Sequence, residues 1–201
     1  MGWIKFEGNR KTSYTGILGD VESHAYDGHP YGGDDRANQV HELSHYISSK
    51  LRNEICNPDQ NGFYFLNGMA YIAREPQTTL DNIARQIPPD FRDSTYNLYM
   101  VKQQQYWNDR PLYMFDEIAA YLNGTKYAYL EERDNRQRWS YSHQNGSKFI
   151  MYASYLLKDF HNDPELVELY RYCRLKYEEW AGRMGLDFGE YYGVADSNFK
   201  V

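Results

Sequence analysis

Asp35-Arg36-Ala37-Asn38-Gln39-Val40-His41-Glu42-Leu43-Ser44-His45 is the stretch from which the fold of this chain can be read. Gly32-Gly33-Asp34-Asp35 supplies a turn and a capping acid, and Ala37, Val40, Ser44, Ile47 and Leu51 follow at three- and four-residue intervals. That period predicts a helix from about Asp35 to Asn53. Val40, Ser44 and Ile47 lie on the side that would pack against a core. His41 and His45, four residues apart, share a different face, and Glu42 stands one step round from them. Two imidazoles at this spacing can reach one point in space with a carboxylate beside it, the H-E-x-x-H arrangement of helix-borne zinc sites. Composition alone produces such a match roughly once in a hundred chains of this length, so the pattern carries weight over a chance surface pairing.

A catalytic zinc needs three protein ligands and an open position for water, and a nearby carboxylate accepts the water's proton as it attacks a carbonyl. The expected roles are therefore His41 and His45 as ligands and Glu42 as general base. The third ligand has to come from elsewhere in the chain. Asn108-Asp109-Arg110-Pro111 reads as a helix start and Asn123-Gly124 as its stop, enclosing Leu112-Tyr113-Met114-Phe115-Asp116-Glu117-Ile118-Ala119-Ala120-Tyr121-Leu122. His24 and His29, in Ser23-His24-Ala25-Tyr26-Asp27-Gly28-His29-Pro30, are possible ligands from an N-terminal loop.

On the H-E-x-x-H helix the sequence resembles the zincin metallopeptidases. The metzincin subgroup continues with Gly and a third His, whereas Tyr46-Ile47-Ser48-Ser49-Lys50-Leu51 follows here. The gluzincin subgroup takes its third ligand from a Glu on a later helix, and Asp116-Glu117-Ile118-Ala119-Ala120-Tyr121 looks like that segment. The resemblance covers these two helices. It implies Glu117 as the third zinc ligand, with Asp116 as its nearest rival and Ala119 and Ala120 as small residues that let the two helices approach. It also implies a Tyr or His donor for the oxyanion. Tyr113, one turn before Glu117, and His143, in a loop read at Tyr141-Ser142-His143-Gln144-Asn145-Gly146, are the candidates.

Around these helices, residues 1–33 are rich in Gly, Tyr and Thr. Their runs Trp3-Ile4-Lys5-Phe6 and Tyr14-Thr15-Gly16-Ile17-Leu18 suit strands, so a small sheet is expected to come first. Ser147 to Phe160 is expected as a third helix. Asp163-Pro164-Glu165 opens a fourth, on which Leu166, Leu169, Tyr170, Cys173, Tyr177 and Trp180 recur on one face. Sheet first and helices after, without βαβ alternation, gives a predominantly helical α+β class, with residues 1–201 as one zincin-like domain. Asn123-Gly124-Thr125 and Asn145-Gly146-Ser147 match the glycosylation acceptor but read as turns.

The whole chain has 201 residues, 28 acidic against 22 basic and a net charge of -6, which argues against nucleic acid as a partner. No window approaches a membrane span, and neither a secretory nor a myristoylation signal opens the chain, where Phe6 replaces the required Ser or Thr. The compartment is left open: a replaced leader at Met1 would favour an extracytoplasmic location and a native start a cytoplasmic one. Cys56 and Cys173 are as compatible with one long-range disulfide as with two thiols, though Cys173 on its apolar stripe reads as a buried thiol. The 21 Tyr against 9 Phe suit wet contact surfaces. The expected function is zinc-dependent hydrolysis of a peptide or protein substrate; the alternative is a Tyr-rich binding or structural domain that does not turn over.

Overall fold

A computed structural model describes residues 2–25, 35–132 and 135–199. In chain order its elements are β1 (Gly2–Lys5), α1 (Gly16–His24), α2 (Arg36–Glu54), β2 (Gln60–Tyr64), β3 (Met69–Arg74) and α3 (Leu80–Gln86). A run of short turns then leads through α4 (Ser94–Tyr96), a π-helical turn (Asn97–Lys102) and α5 (Gln104–Trp107). The long helices α6 (Tyr113–Glu131), α7 (Arg136–Asp159) and α8 (Pro164–Met184) follow, and α9 (Gly189–Asn198) closes the described chain. The class is predominantly helical with one small antiparallel sheet.

The sheet has the order β1-β3-β2, with Tyr71 opposite Trp3 on one side and Phe63 on the other. Only β1 comes from the N-terminal segment; β2 and β3 are added after α2, so the sheet is assembled around that helix. The strand expected at Tyr14–Leu18 is instead the start of α1, because Leu18, Val21 and Ala25 bury one helical face against α2 and the sheet.

α2 begins where the capping acid predicts, with the Asp35 carboxylate accepting from the Asn38 amide at 2.7 Å. Val40, Leu43, Ile47 and Leu51 are fully buried with Val21, Tyr64 and Ala70, so this face of α2 covers one side of the sheet. A larger apolar cluster is built from α6, α7, α8 and the other side of the sheet, with Phe63, Tyr71, Phe115, Phe149, Tyr170 and Tyr177 at its centre. α8 opens at Pro164, where Asp163 accepts from the Glu165 and Leu166 amides, and ends at Gly185 in the left-handed region. Its stripe from Leu166 to Trp180 is buried as expected, including Cys173. Cys56 and Cys173 are separate thiols.

Both Asn-Gly pairs read as turns lie inside helices. α6 continues through Asn123-Gly124 to Glu131, and α7 starts at Arg136 and carries Tyr141 through Gly146 as helix. The physical reason is close packing. A Cβ on Gly124 would sit 3.2 Å from the Ala37 carbonyl and 3.4 Å from the His41 Cβ, so this glycine lets α6 lie against α2. Asn123 is fully buried and donates to Ser44 Oγ at 3.0 Å and to the Tyr64 carbonyl at 2.8 Å. A Cβ on Gly146 would fall 1.9 Å from the Tyr177 hydroxyl, which donates to the Ile118 carbonyl at 2.9 Å across the core.

Candidate metal centre

The contact of α2 with α6 puts the polar face of α2 beside the first turns of α6. His41 Nε2 and His45 Nε2 stand 3.1 Å apart, as the four-residue spacing requires. Glu117 reaches toward both, its Oε2 3.8 Å from His41 Nε2 and its Oε1 3.7 Å from His45 Nε2. Ligand atoms of these three side chains all lie within 4.8 Å of one another. Donors that each bind zinc at about 2.0–2.2 Å in tetrahedral array are themselves somewhat over 3 Å apart, so a modest closure would meet that geometry. The donor set is one that zinc accepts, and Glu117 Oε2 is buried without a hydrogen-bond partner. A buried carboxylate oxygen facing two imidazoles is unfavourable unless a cation joins them.

Asp116, the rival ligand, occupies a different place. Its Oδ2 is 3.0 Å from His45 Nδ1, the ring nitrogen turned away from His41 and Glu117. A carboxylate on the far nitrogen fixes the tautomer and ring orientation of a ligating histidine and makes it more basic. His41 is held from the other side by a backbone hydrogen bond at Ala120 and by the Tyr121 ring, whose centroid is 4.4 Å away. Ala120 thus contributes its backbone, and the close approach anticipated at Ala119 and Ala120 falls at Gly124, one turn further on.

The three side chains titrate in opposite directions. Burial and the neighbouring His45 hold the His41 imidazole well below its ordinary pKa, so it is neutral. Burial also works against charge on His45, but Asp116, Glu117 and more weakly Glu42 outweigh it and lift His45 well above the usual imidazole range. Desolvation raises Glu117 to about 7, with His45 and the Tyr113 hydrogen bond pulling the other way. Three carboxylates meet two imidazoles here, and charge compensation by a divalent cation would relieve the arrangement.

The site opens into a cleft of about 410 Å³ lined by His41, Glu42, His45, Tyr113, Asp116 and Glu117, with Tyr46, Ser49, Arg52, Tyr99, Gln103 and Trp107 completing its walls. A second lobe of about 260 Å³ shares His41, Glu42 and Tyr99 and extends toward Arg138 and Tyr141. Glu42 therefore faces both lobes from beside the two histidines. Tyr113 is in the cleft, but its hydroxyl donates to Glu117 Oε1 at 2.5 Å and its ring stacks on Trp107 at 4.3 Å. In this geometry it holds the Glu117 carboxylate.

Two expected residues are not brought here. His143 is fully buried on α7 against the rings of Tyr177 and Phe188, and burial holds it neutral, its pKa lowered to about 3. The loop that would have aimed it at the cleft is helix. His24 is a packing histidine: Nε2 is 2.9 Å from the Phe6 carbonyl, and Nδ1 faces the Asp20 carbonyl and the Tyr64 hydroxyl. His29 lies outside the described residues. Tyr99, Gln103 and Trp107 were missed because the segment that carries them has no long hydrophobic period; their only signal was an aromatic spacing across a π-helical turn.

No family model, no curated protein and no solved structure matches the chain.

Proposed function

We propose that this chain is a zinc-dependent hydrolase, a metallopeptidase of zincin-like organisation in which His41, His45 and Glu117 hold the metal and Glu42 is the general base. The observation that carries the reading is the convergence of H-E-x-x-H on α2 with Glu117 on α6, combined with Asp116 on the far nitrogen of His45. A chance surface cluster has no reason to include that oriented carboxylate.

Zinc at this centre would act as a Lewis acid toward a water molecule and the substrate carbonyl. The chain's own residues do the rest. Glu42 lines both lobes of the cleft, so it can take a proton from the attacking water while the peptide carbonyl carbon gains its new C–O bond. The same carboxyl then delivers that proton to the departing nitrogen as the C–N bond breaks, and the products are an acid and an amine. Asp116 holds the His45 ring, and Tyr113 holds the Glu117 carboxylate, so two ligands are set in orientation before substrate arrives.

Glu42→Gln tests the assignment. The amide keeps size and polarity but cannot accept the proton, so zinc content stays at the wild-type level while hydrolysis of a mixed peptide library, followed by mass spectrometry, falls by at least ~100-fold. A wild-type, zinc-loaded protein that binds peptides without cleaving any would instead support a Tyr-rich binding domain.

A further inference from the structure

The cleft runs along one face of α2. His41, His45, Ser49 and Arg52 succeed one another at spacings of four, four and three, and all line the same cavity. Arg52 is half-buried at its far end. Its Nη1 donates to Asn61 Oδ1 at 3.2 Å, and its guanidinium carbon lies 5.5 Å from the centre of the Trp107 ring. Trp107 stacks on Tyr113, whose hydroxyl binds Glu117. One continuous wall therefore leads from the third ligand to this cation.

The charge of Arg52 is not matched by a contacting carboxylate among the described residues. Its hydrogen-bond partner is a neutral amide, and Asn61 uses its own Nδ2 on Glu75 Oε1 at 3.0 Å, so Asn61 stands between the two. Compensation of the α2 C-terminal dipole would explain a basic residue in the last turn, but it does not require the guanidinium to lie against Trp107 in the cleft. A planar fork with free donors, desolvated on one side by an aromatic ring, is suited to bidentate capture of a carboxylate.

We propose that Arg52, set against Trp107, forms a carboxylate-binding subsite that anchors substrates at a fixed distance from the hydrolytic centre. This inference rests on the metallopeptidase reading. Seven residues of helix separate His45 from Arg52 by roughly 10 Å of rise. That gap suits a carboxylate about two extended residues from the scissile carbonyl, at roughly 3.3 Å per residue. The carboxylate is either a peptide C-terminus, which makes the protein a peptidase that releases C-terminal dipeptides, or an Asp or Glu side chain, which makes it an acid-selective endopeptidase.

The test uses the zinc-loaded full chain and four probes, each a hydroxamate followed by two residues. One pair ends in Leu-Ala as free acid or as amide, the other in Leu-Glu-amide or Leu-Gln-amide. The hydroxamate anchors every probe at the metal, and affinity is read by calorimetry. In one of the two pairs the anionic member binds at least ~10-fold tighter than its neutral twin, and the pair that shows this identifies the source of the carboxylate. Arg52→Gln, which can still donate to Asn61, lowers that preference below ~2-fold, and Arg52→Lys restores part of it. Equal binding of both twins in both pairs, with zinc bound and all hydroxamates engaged, overturns the subsite and leaves the metal centre intact. A preference that persists in Arg52→Gln overturns it as well. Failure of every hydroxamate to bind the zinc-replete protein removes the metallopeptidase reading and the subsite with it.

Discussion

Asp116 and Glu117 are adjacent in sequence yet meet the histidines in different ways, Glu117 facing the Nε2 atoms of His41 and His45 and Asp116 the Nδ1 of His45. That division makes a graded prediction. Glu117→Ala removes a proposed ligand and is expected to lower zinc affinity more than Asp116→Ala does, by upwards of ~100-fold. Asp116→Ala leaves three ligands and weakens binding by the roughly 10- to 100-fold typical of a lost orienting partner, so zinc at saturating concentration is retained. Competition with a chromogenic chelator gives both constants, and a reversed order would exchange the two roles. Tyr113→Phe, which frees Glu117 Oε1, belongs to the same series and is expected to weaken zinc less than Glu117→Ala does. His41, Glu42 and His45 were legible in the sequence because a helix of regular period fixes their mutual geometry locally. Glu117 was reachable only through resemblance, since the pairing of α2 with α6 depends on contacts that no local pattern encodes. His143 was misplaced because its surrounding Asn-Gly pair looks like a turn until Tyr177 is seen to fill the space a side chain would need.

The helices meet through glycines, and two substitutions separate packing from propensity. Gly146→Ala would force the Tyr177 ring to move and break its buried bond to Ile118, costing about 1–3 kcal/mol for overpacking and a similar amount for the lost bond, against at most about 1 kcal/mol gained in helix propensity. A net loss of about 1 kcal/mol or more in urea unfolding is expected. Gly182→Ala, exposed on α8 with open space around the added carbon, gains about 0.5–1 kcal/mol by the same propensity. A second junction lies where β3 hands over to the following chain. Glu75 accepts from Asn61 Nδ2 and from the Leu112 amide at 3.1 Å, tying β2 to the entry of α6, and desolvation raises its carboxyl to about 7. Between pH 4.5 and 7 the native state therefore holds a proton that the unfolded chain has released, so this group's contribution to stability falls as pH rises through that window. Glu75→Gln does not titrate and leaves one of the two donors facing an NH2 group. Its deficit relative to wild type is expected to be widest near pH 4.5 and to narrow by on the order of 2 kcal/mol by pH 7. A gap independent of pH would show that Glu75 is ionised throughout. The strand expected at Tyr14–Leu18 failed for a related reason: its apolar residues suit either period, and only burial against α2 selects the helix.

At the scale of the molecule, the apolar clusters lie on either side of the sheet, and the proposed centre sits at the α2–α6 contact that joins them. Among the described residues no helix is long and apolar enough to cross a membrane. The predominantly helical character and the α8 stripe were readable from periodicity, whereas the placement of β2 and β3 after α2 was not, because strand pairing is long-range. A metal bound only by the native state stabilises it by mass action, about 4 kcal/mol when zinc stands at a thousand times its dissociation constant. The apolar clusters extend well beyond the proposed centre, so chelator-treated protein is expected to stay cooperatively folded but to melt on the order of 10 °C lower, by calorimetry. The most direct measurement of the central claim is the zinc content of the purified chain and of its His45→Ala variant, by mass spectrometry after growth in zinc-replete medium. The account predicts about one zinc per wild-type chain and a content near zero in the variant, with both proteins folded; a folded wild-type chain free of zinc, or a variant that keeps its full zinc, would contradict it.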